Sequence, residues 1–218
     1  MEEVKISRPY TVKEEVLSSV VHGIGIVLGV VSLTLLVTLS AVYANVWAVV
    51  STAVFGASII LLYTASTVYH AIPNPTIKAR LKKLDHISIY YLIAGSYTPF
   101  VLVSMRGAIG WTIFGIIWGL AILGTILKLC LKNTSGTKVW SVGLYLGMGW
   151  MVAFASKRLF QLLPISGLTF LILGGLFYTL GIFFYVWKSK KYTHAIWHLF
   201  VLLGTFMHFF AVLFSCVV

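Results

Sequence analysis

The chain has 218 residues, 60% of them hydrophobic and 10% charged, with a mean hydropathy of +1.00. A water-soluble domain cannot hide that much apolar surface, so the solvent for this chain is a bilayer. The formal charge of +11 does not point to nucleic acid, because the sixteen Lys and Arg sit in short clusters between apolar runs and form no basic face.

The N-terminal stretch MEEVKISRPYTVKEEV mixes acids and bases ahead of a long apolar run. It lacks the short apolar core and small-residue cleavage site of a secretory signal. Thr11-x-x-Glu14 reads as a capping box that opens a helix. Seven apolar segments follow, at roughly 17–39, 46–69, 84–104, 108–130, 138–157, 165–187 and 193–216, each near the ~20 residues a span requires. Gly143, Gly147 and Gly149 loosen the fifth, and Lys157-Arg158 close it. The expectation is an all-α integral membrane protein of the cell membrane. Residues 1–218 form a single seven-helix transmembrane domain without a separate soluble part.

Orientation follows from the basic residues. Lys5, Arg8 and Lys13, then Lys78, Arg80, Lys82 and Lys83, then Lys128, Lys132 and Lys138, and finally Lys188, Lys190 and Lys191 place thirteen on one side. Arg106, Lys157 and Arg158 leave three on the other. The positive-inside rule puts the N-terminus in the cytoplasm and the C-terminus outside.

Within the spans, Gly25-x3-Gly29, Gly115-x3-Gly119 and Gly143-x3-Gly147 fit the pattern of close helix contacts. Pro99 should kink the third span, with Ser96, Tyr97 and Thr98 placed to satisfy the freed backbone groups. The basic segment 72–83 is expected along the inner leaflet. Tyr43, Trp47, Tyr69, Trp111, Trp140 and Trp187 near span ends read as interfacial anchors. Cys130 and Cys216 fall on opposite sides and read as unpaired, small apolar residues.

The polar residues concentrate at one depth. His70 ends the second span, Asp85 and His86 open the third, and His194 and His198 open the seventh. On a helix, His194 and His198 share a face with Cβ atoms ~5–6 Å apart, a spacing that suits two imidazoles on one metal. His70 would supply a third nitrogen and leave one open position, the pattern of a catalytic zinc. Residues 195–197 are Ala, Ile and Trp, so no general base lies between the pair. Asp85 is the one carboxylate this reading finds at that depth, with a helix N-cap or an ion pair to Lys82 or Lys83 as its structural alternatives. Ser66 lies one turn before His70, either to hydrogen-bond the same water or simply to pack. His22 and His86 read as interfacial. His208 sits deep in the seventh span, lining a cavity or bonding a neighbouring helix.

Ser66-x3-His70, Leu84-Asp85-His86 followed by IAGSYTPF (93–100), and HAIWHLFVLLG (194–204) together resemble the hemolysin III family, within the wider progestin and adiponectin receptor superfamily. Glu14-Glu15 with His22-Gly23 fits its N-terminal pattern, and Ser18 departs from the Asn common in bacterial members. The resemblance implies a seven-helix bundle with Zn2+ near the cytoplasmic face. Its ligands would be His70, His194 and His198, with Asp85 and Ser66 as polar partners in catalysis. It also implies a likeness to alkaline ceramidases, hence hydrolysis of a lipid amide or ester. The competing readings are a pore-forming cytolysin, the activity for which the bacterial branch is named, and a non-enzymatic regulator of membrane homeostasis with structural zinc. Haem held by paired His is a fourth. The partners expected are membrane lipids, including a lipid substrate or ligand. The oligomeric state is left open.

Overall fold

The computed structural model describes residues 10–131, 134–187 and 189–218. Lys5, Arg8, Lys132 and Lys188 of the charge count therefore lie outside the described residues. Seven helical segments are long and apolar enough to cross a membrane. They comprise α1 (Val12–Tyr43), α2 (Val46–Ala71), α3 (Pro75–Pro99), α4 (Ala108–Cys130), the pair α5 (Ser135–Trp150) and α6 (Ser156–Leu162), α7 (Ile165–Val186) and α8 (Thr193–Val212).

Start signals behave as local chemistry dictates. Thr11 caps α1, and Glu14 returns the bond to the Thr11 N–H at 2.9 Å. Asn45 and Asn74 cap α2 and α3 through their side-chain carbonyls. Because α3 already begins at Pro75, the basic segment 72–83 is mostly the first turns of a long helix, not a separate interfacial piece. Asp85 is consequently mid-helix, which removes the N-cap reading of its carboxylate.

Burial is inverted relative to a soluble bundle. The buried residues of α1 are Glu14, Ser18, His22, Gly25, Gly29, Ser32, Leu36 and Ser40, a stripe of small and polar side chains at three- and four-residue steps. Valines and leucines face outward, where lipid replaces water. The small stripe lets α1 lie close on α2. A Cβ at Gly25 would come 2.6 Å from the Tyr63 ring, and one at Gly29 would come 2.9 Å from Ile59. Gly115, Gly119, Gly143 and Gly147 have nothing within 4 Å of such a Cβ, so two of the three glycine pairs are not helix contacts. Those glycines face away from neighbouring helices, a distinction that spacing alone does not carry.

Hydroxyl groups bind the inner helices together. Tyr63 on α2 donates to Thr205 Oγ1 on α8 at 2.8 Å, and Tyr178 on α7 reaches the same Thr205 oxygen at 2.8 Å. Pro99 ends the regular part of α3, and the chain continues as a π-helical turn over Phe100–Ser104. The neighbouring hydroxyls do other work than expected. Ser96 and Thr98 donate to the Ile93 and Ala94 carbonyls. Tyr97 Oη instead meets the Met148 and Gly149 carbonyls and accepts from the Val152 N–H at 2.8 Å. Those atoms border the break in the fifth span, where α5 gives way to a 3-10 stretch, Met151–Ala155, before α6. Lys157 and Arg158 do not end this span. They sit exposed on α6, which runs to Leu162.

The core joins α1, α2, α3, α7 and α8, whereas α5 is only lightly packed. Between α3, α5, α6, α7 and α8 lies a cavity of about 400 Å³ with a predominantly hydrocarbon wall. Cys130 is exposed and Cys216 buried, and both are free thiols.

Candidate metal centre

The site is assembled where the N-terminal turns of α1 and α8 meet the C-terminal turn of α2. Two acids on α1 place its parts. Glu14, 2% exposed, accepts from the Tyr192 N–H at 2.7 Å. Tyr192 precedes α8 in the left-handed region (φ 66°), a conformation that costs a bulky residue on the order of 1–3 kcal/mol. The Glu14 carboxylate thus holds the turn that aims His194, and Tyr10 stacks on the His194 ring at 4.6 Å.

Glu15 acts on a second histidine, His70. Its Oε2 lies 2.6 Å from His70 Nδ1 and 3.2 Å from Lys78 Nζ. An ionised carboxylate only accepts, so Nδ1 carries a hydrogen and Nε2 is the nitrogen turned toward the other rings. Lys78 also donates to the Tyr69 carbonyl at 2.9 Å, which ties the start of α3 to the end of α2.

His70, His194 and His198 converge. Each offers a nitrogen, and the three nitrogens all lie within 4.8 Å of one another. His70 Nε2 and His198 Nε2 are 3.0 Å apart. An ion bound at ~2.0–2.1 Å from each nitrogen sets tetrahedral neighbours about 3.3 Å apart, a spacing that the His70–His198 pair already matches to within a few tenths of an ångström. His70 and His198 are 4% and 0% exposed, and His194 Nε2 is buried without a hydrogen-bond partner. Three imidazole nitrogens brought this close together, one ring oriented by a carboxylate, fit a divalent cation. This group could hold a metal ion.

Asp85, 3% exposed, is not within 4.8 Å of all three ligand atoms and stands beside the trio. It lines the cavity, and Ser66 Oγ faces it without making a well-formed hydrogen bond. In the same turn His86 Nδ1 is 3.7 Å from Asp85 Oδ2, although that nitrogen hydrogen-bonds the Lys82 carbonyl at 2.6 Å.

Two expectations require correction. Asp85 is not the one carboxylate at this depth, because Glu15 touches His70 directly. His22 is not interfacial: it is 1% exposed, packs against His198 with ring centroids 3.9 Å apart, and neither of its nitrogens has a partner. Glu15, Ser18 and His22 stand at three- and four-residue steps on one face of α1, and that pattern was the available clue.

The chain is similar to known proteins over nearly its whole length. Residues 10–209 match the family model described as Haemolysin-III related. It is 42% identical to Hemolysin-3 homolog of Bacillus subtilis (strain 168), over 95% of this chain and 97% of that protein. It is also 42% identical to Hemolysin-3 of Bacillus cereus, over 93% of this chain and 92% of that one. Monocyte to macrophage differentiation factor of Homo sapiens is 30% identical, over 88% and 79%.

Proposed function

Because the chain belongs to the Haemolysin-III related family of multi-pass membrane proteins, we propose that it is a zinc-dependent hydrolase acting on a lipid amide or ester inside the bilayer. The observation that carries this reading is the junction itself. Asp85 and His22 line one end of a 400 Å³ cavity, and both border the three-histidine group.

Zinc bound there would supply a Lewis acid for the carbonyl and an activated water. The remaining work falls to the chain. His70, His194 and His198 would be the ligands, with Glu15 keeping His70 in the tautomer that exposes Nε2. Asp85 would take the proton of the attacking water and return it to the leaving nitrogen or oxygen. Ser66 would orient that water from α2. The apolar wall, with Ile89, Leu92, Phe100 and Leu168, would hold the acyl chain and exclude bulk water.

The test is release of free fatty acid, read by mass spectrometry. Zinc-loaded purified protein is presented with ceramides, other N-acyl amides and acyl esters in nanodiscs. Release is expected from wild type and not from His198→Ala or Asp85→Asn. Metal-loaded wild type that cleaves nothing across the panel ends this reading.

The name of the Bacillus cereus relative favours a second reading, membrane lysis through a pore. The cavity wall is hydrocarbon and offers ions little polar path, so such a pore would form between copies of the chain. Dye release from liposomes that rises steeply with protein density would support it.

A further inference from the structure

The far end of the cavity holds a polar group that this chemistry does not use. His208 stands ten residues beyond His198 on α8, about 15 Å further along the helix. It lines the cavity with Met105 and Val101. The Cδ2–Nε2 edge of its ring is turned toward α7, which makes room only because residue 174 is glycine. Tyr178 packs edge-on against the ring at 5.2 Å.

Neither nitrogen of His208 makes a hydrogen bond of acceptable geometry, and the Leu171 carbonyl is the nearest backbone partner. Three other polar groups lining the cavity already have partners. Ser96 donates to the Ile93 carbonyl, Thr179 to the Gly175 carbonyl, and Tyr178 shares its hydroxyl with Thr205. Among the described lining residues, only His22 and His208 keep buried ring nitrogens without partners, and His22 belongs to the metal centre. An imidazole enclosed in hydrocarbon leaves a desolvation cost that a purely apolar occupant does not relieve.

We propose that the cavity takes a long-chain lipid bearing a hydroxyl roughly a dozen carbons from its carbonyl, the reach of that ~15 Å helical separation, and that the His208 ring, whose nitrogens lie closed off against α7, turns toward the cavity to hydrogen-bond this hydroxyl. The proposal rests on the hydrolase reading in placing the carbonyl end at the metal centre. His208 is then a specificity residue, because a site built for a hydroxyl rejects the analogue lacking it.

The experiment is equilibrium binding to the full-length protein in nanodiscs, by displacement of a fluorescent fatty acid. Stearic acid is compared with stearic acid hydroxylated at its twelfth carbon, on wild type, His208→Phe and His208→Gln. Wild type is expected to favour the hydroxylated acid by about fivefold to tenfold. His208→Phe should erase the preference while leaving stearate affinity within about threefold of wild type, and His208→Gln should keep part of the preference. Equal affinities in wild type overturn the proposal, which is the result if a resident water satisfies the imidazole. So does a preference that survives in His208→Phe. If that variant does not fold, wild type and His208→Gln still decide, since a Gln variant with no loss of preference also overturns it. Failure of both acids to displace the probe removes the lipid-cavity reading as well, whereas equal binding removes only the role of His208.

Discussion

Glu15 and His70, 55 residues apart in sequence, meet through a 2.6 Å contact between carboxylate oxygen and Nδ1. This is the arrangement by which a carboxylate fixes the tautomer and raises the basicity of a ligating imidazole. Losing such a partner costs about 10–100-fold in metal affinity. Glu15→Gln should therefore weaken zinc binding in that range, measured by competition with a chromophoric chelator. Lys78→Gln should have a smaller effect, because Lys78 does not touch His70 Nδ1 and acts only through the Glu15 oxygen they share, at 3.2 Å. Unchanged affinity in Glu15→Gln would reduce the contact to packing.

Asp85 and the ligand set should separate cleanly on mutation. Asp85 does not lie within ligand range of all three nitrogens, so Asp85→Asn should retain a full equivalent of zinc. In the proposed hydrolase Asp85 is the general base, and its loss should cost about 10²–10⁴-fold in rate. The buried carboxylate is also expensive to the fold, so the Asn variant should be at least as stable as wild type. Metal loss in Asp85→Asn, read by elemental analysis, would make it a ligand and reassign the base.

Chelation should loosen the bundle. His70 is on α2 and His194 and His198 are on α8, so an ion shared by the three would link helices that also meet through Tyr63 and Thr205. A ligand present at 100 times its Kd stabilises by about 2.7 kcal/mol. A strong chelator should lower the thermal unfolding temperature of wild type by several degrees and leave the His194→Ala/His198→Ala double variant unmoved. Equal responses would place the metal elsewhere.

Most of the architecture was legible because membrane spans are long, apolar and punctuated by charge. The second, fourth, sixth and seventh spans fall within two residues of their expected bounds. The third does not, since helical periodicity runs through 75–83 while hydropathy does not, and the chain obeys the hydrogen bonding of the helix. The histidine trio was legible from depth and from the four-residue step between His194 and His198. Glu14 and Glu15 were legible only as a capping residue and as part of an N-terminal pattern, and nothing local assigned Glu15 to the site. Its partner lies on another helix, and lateral proximity between helices has no sequence period. A cavity was expected between the second, third and seventh spans; it lies mainly against the third, fifth, sixth and seventh, since its shape depends on the break in the fifth span that Tyr97 stabilises from α3.

The glycine pairs give the sharpest contrast between pattern and structure. Gly25 and Gly115 each begin a Gly-x3-Gly motif in an apolar helix, so sequence treats them alike. At Gly25 a Cβ would lie 2.6 Å from the Tyr63 ring, and Tyr63 cannot swing aside without giving up its 2.8 Å bond to Thr205. Gly25→Ala should therefore destabilise by about 1–3 kcal/mol, the usual cost of overpacking. It should also disturb the metal centre, since the same Tyr63 ring packs edge-on against His22 at 4.9 Å. At Gly115 nothing lies within 4 Å, so the added methyl meets no neighbour. There Gly115→Ala should gain up to ~1 kcal/mol from helix propensity alone. Thermal unfolding of the two variants in one detergent decides, and shifts of the same sign would mean that α1 does not approach α2 as closely as the Tyr63 contact requires.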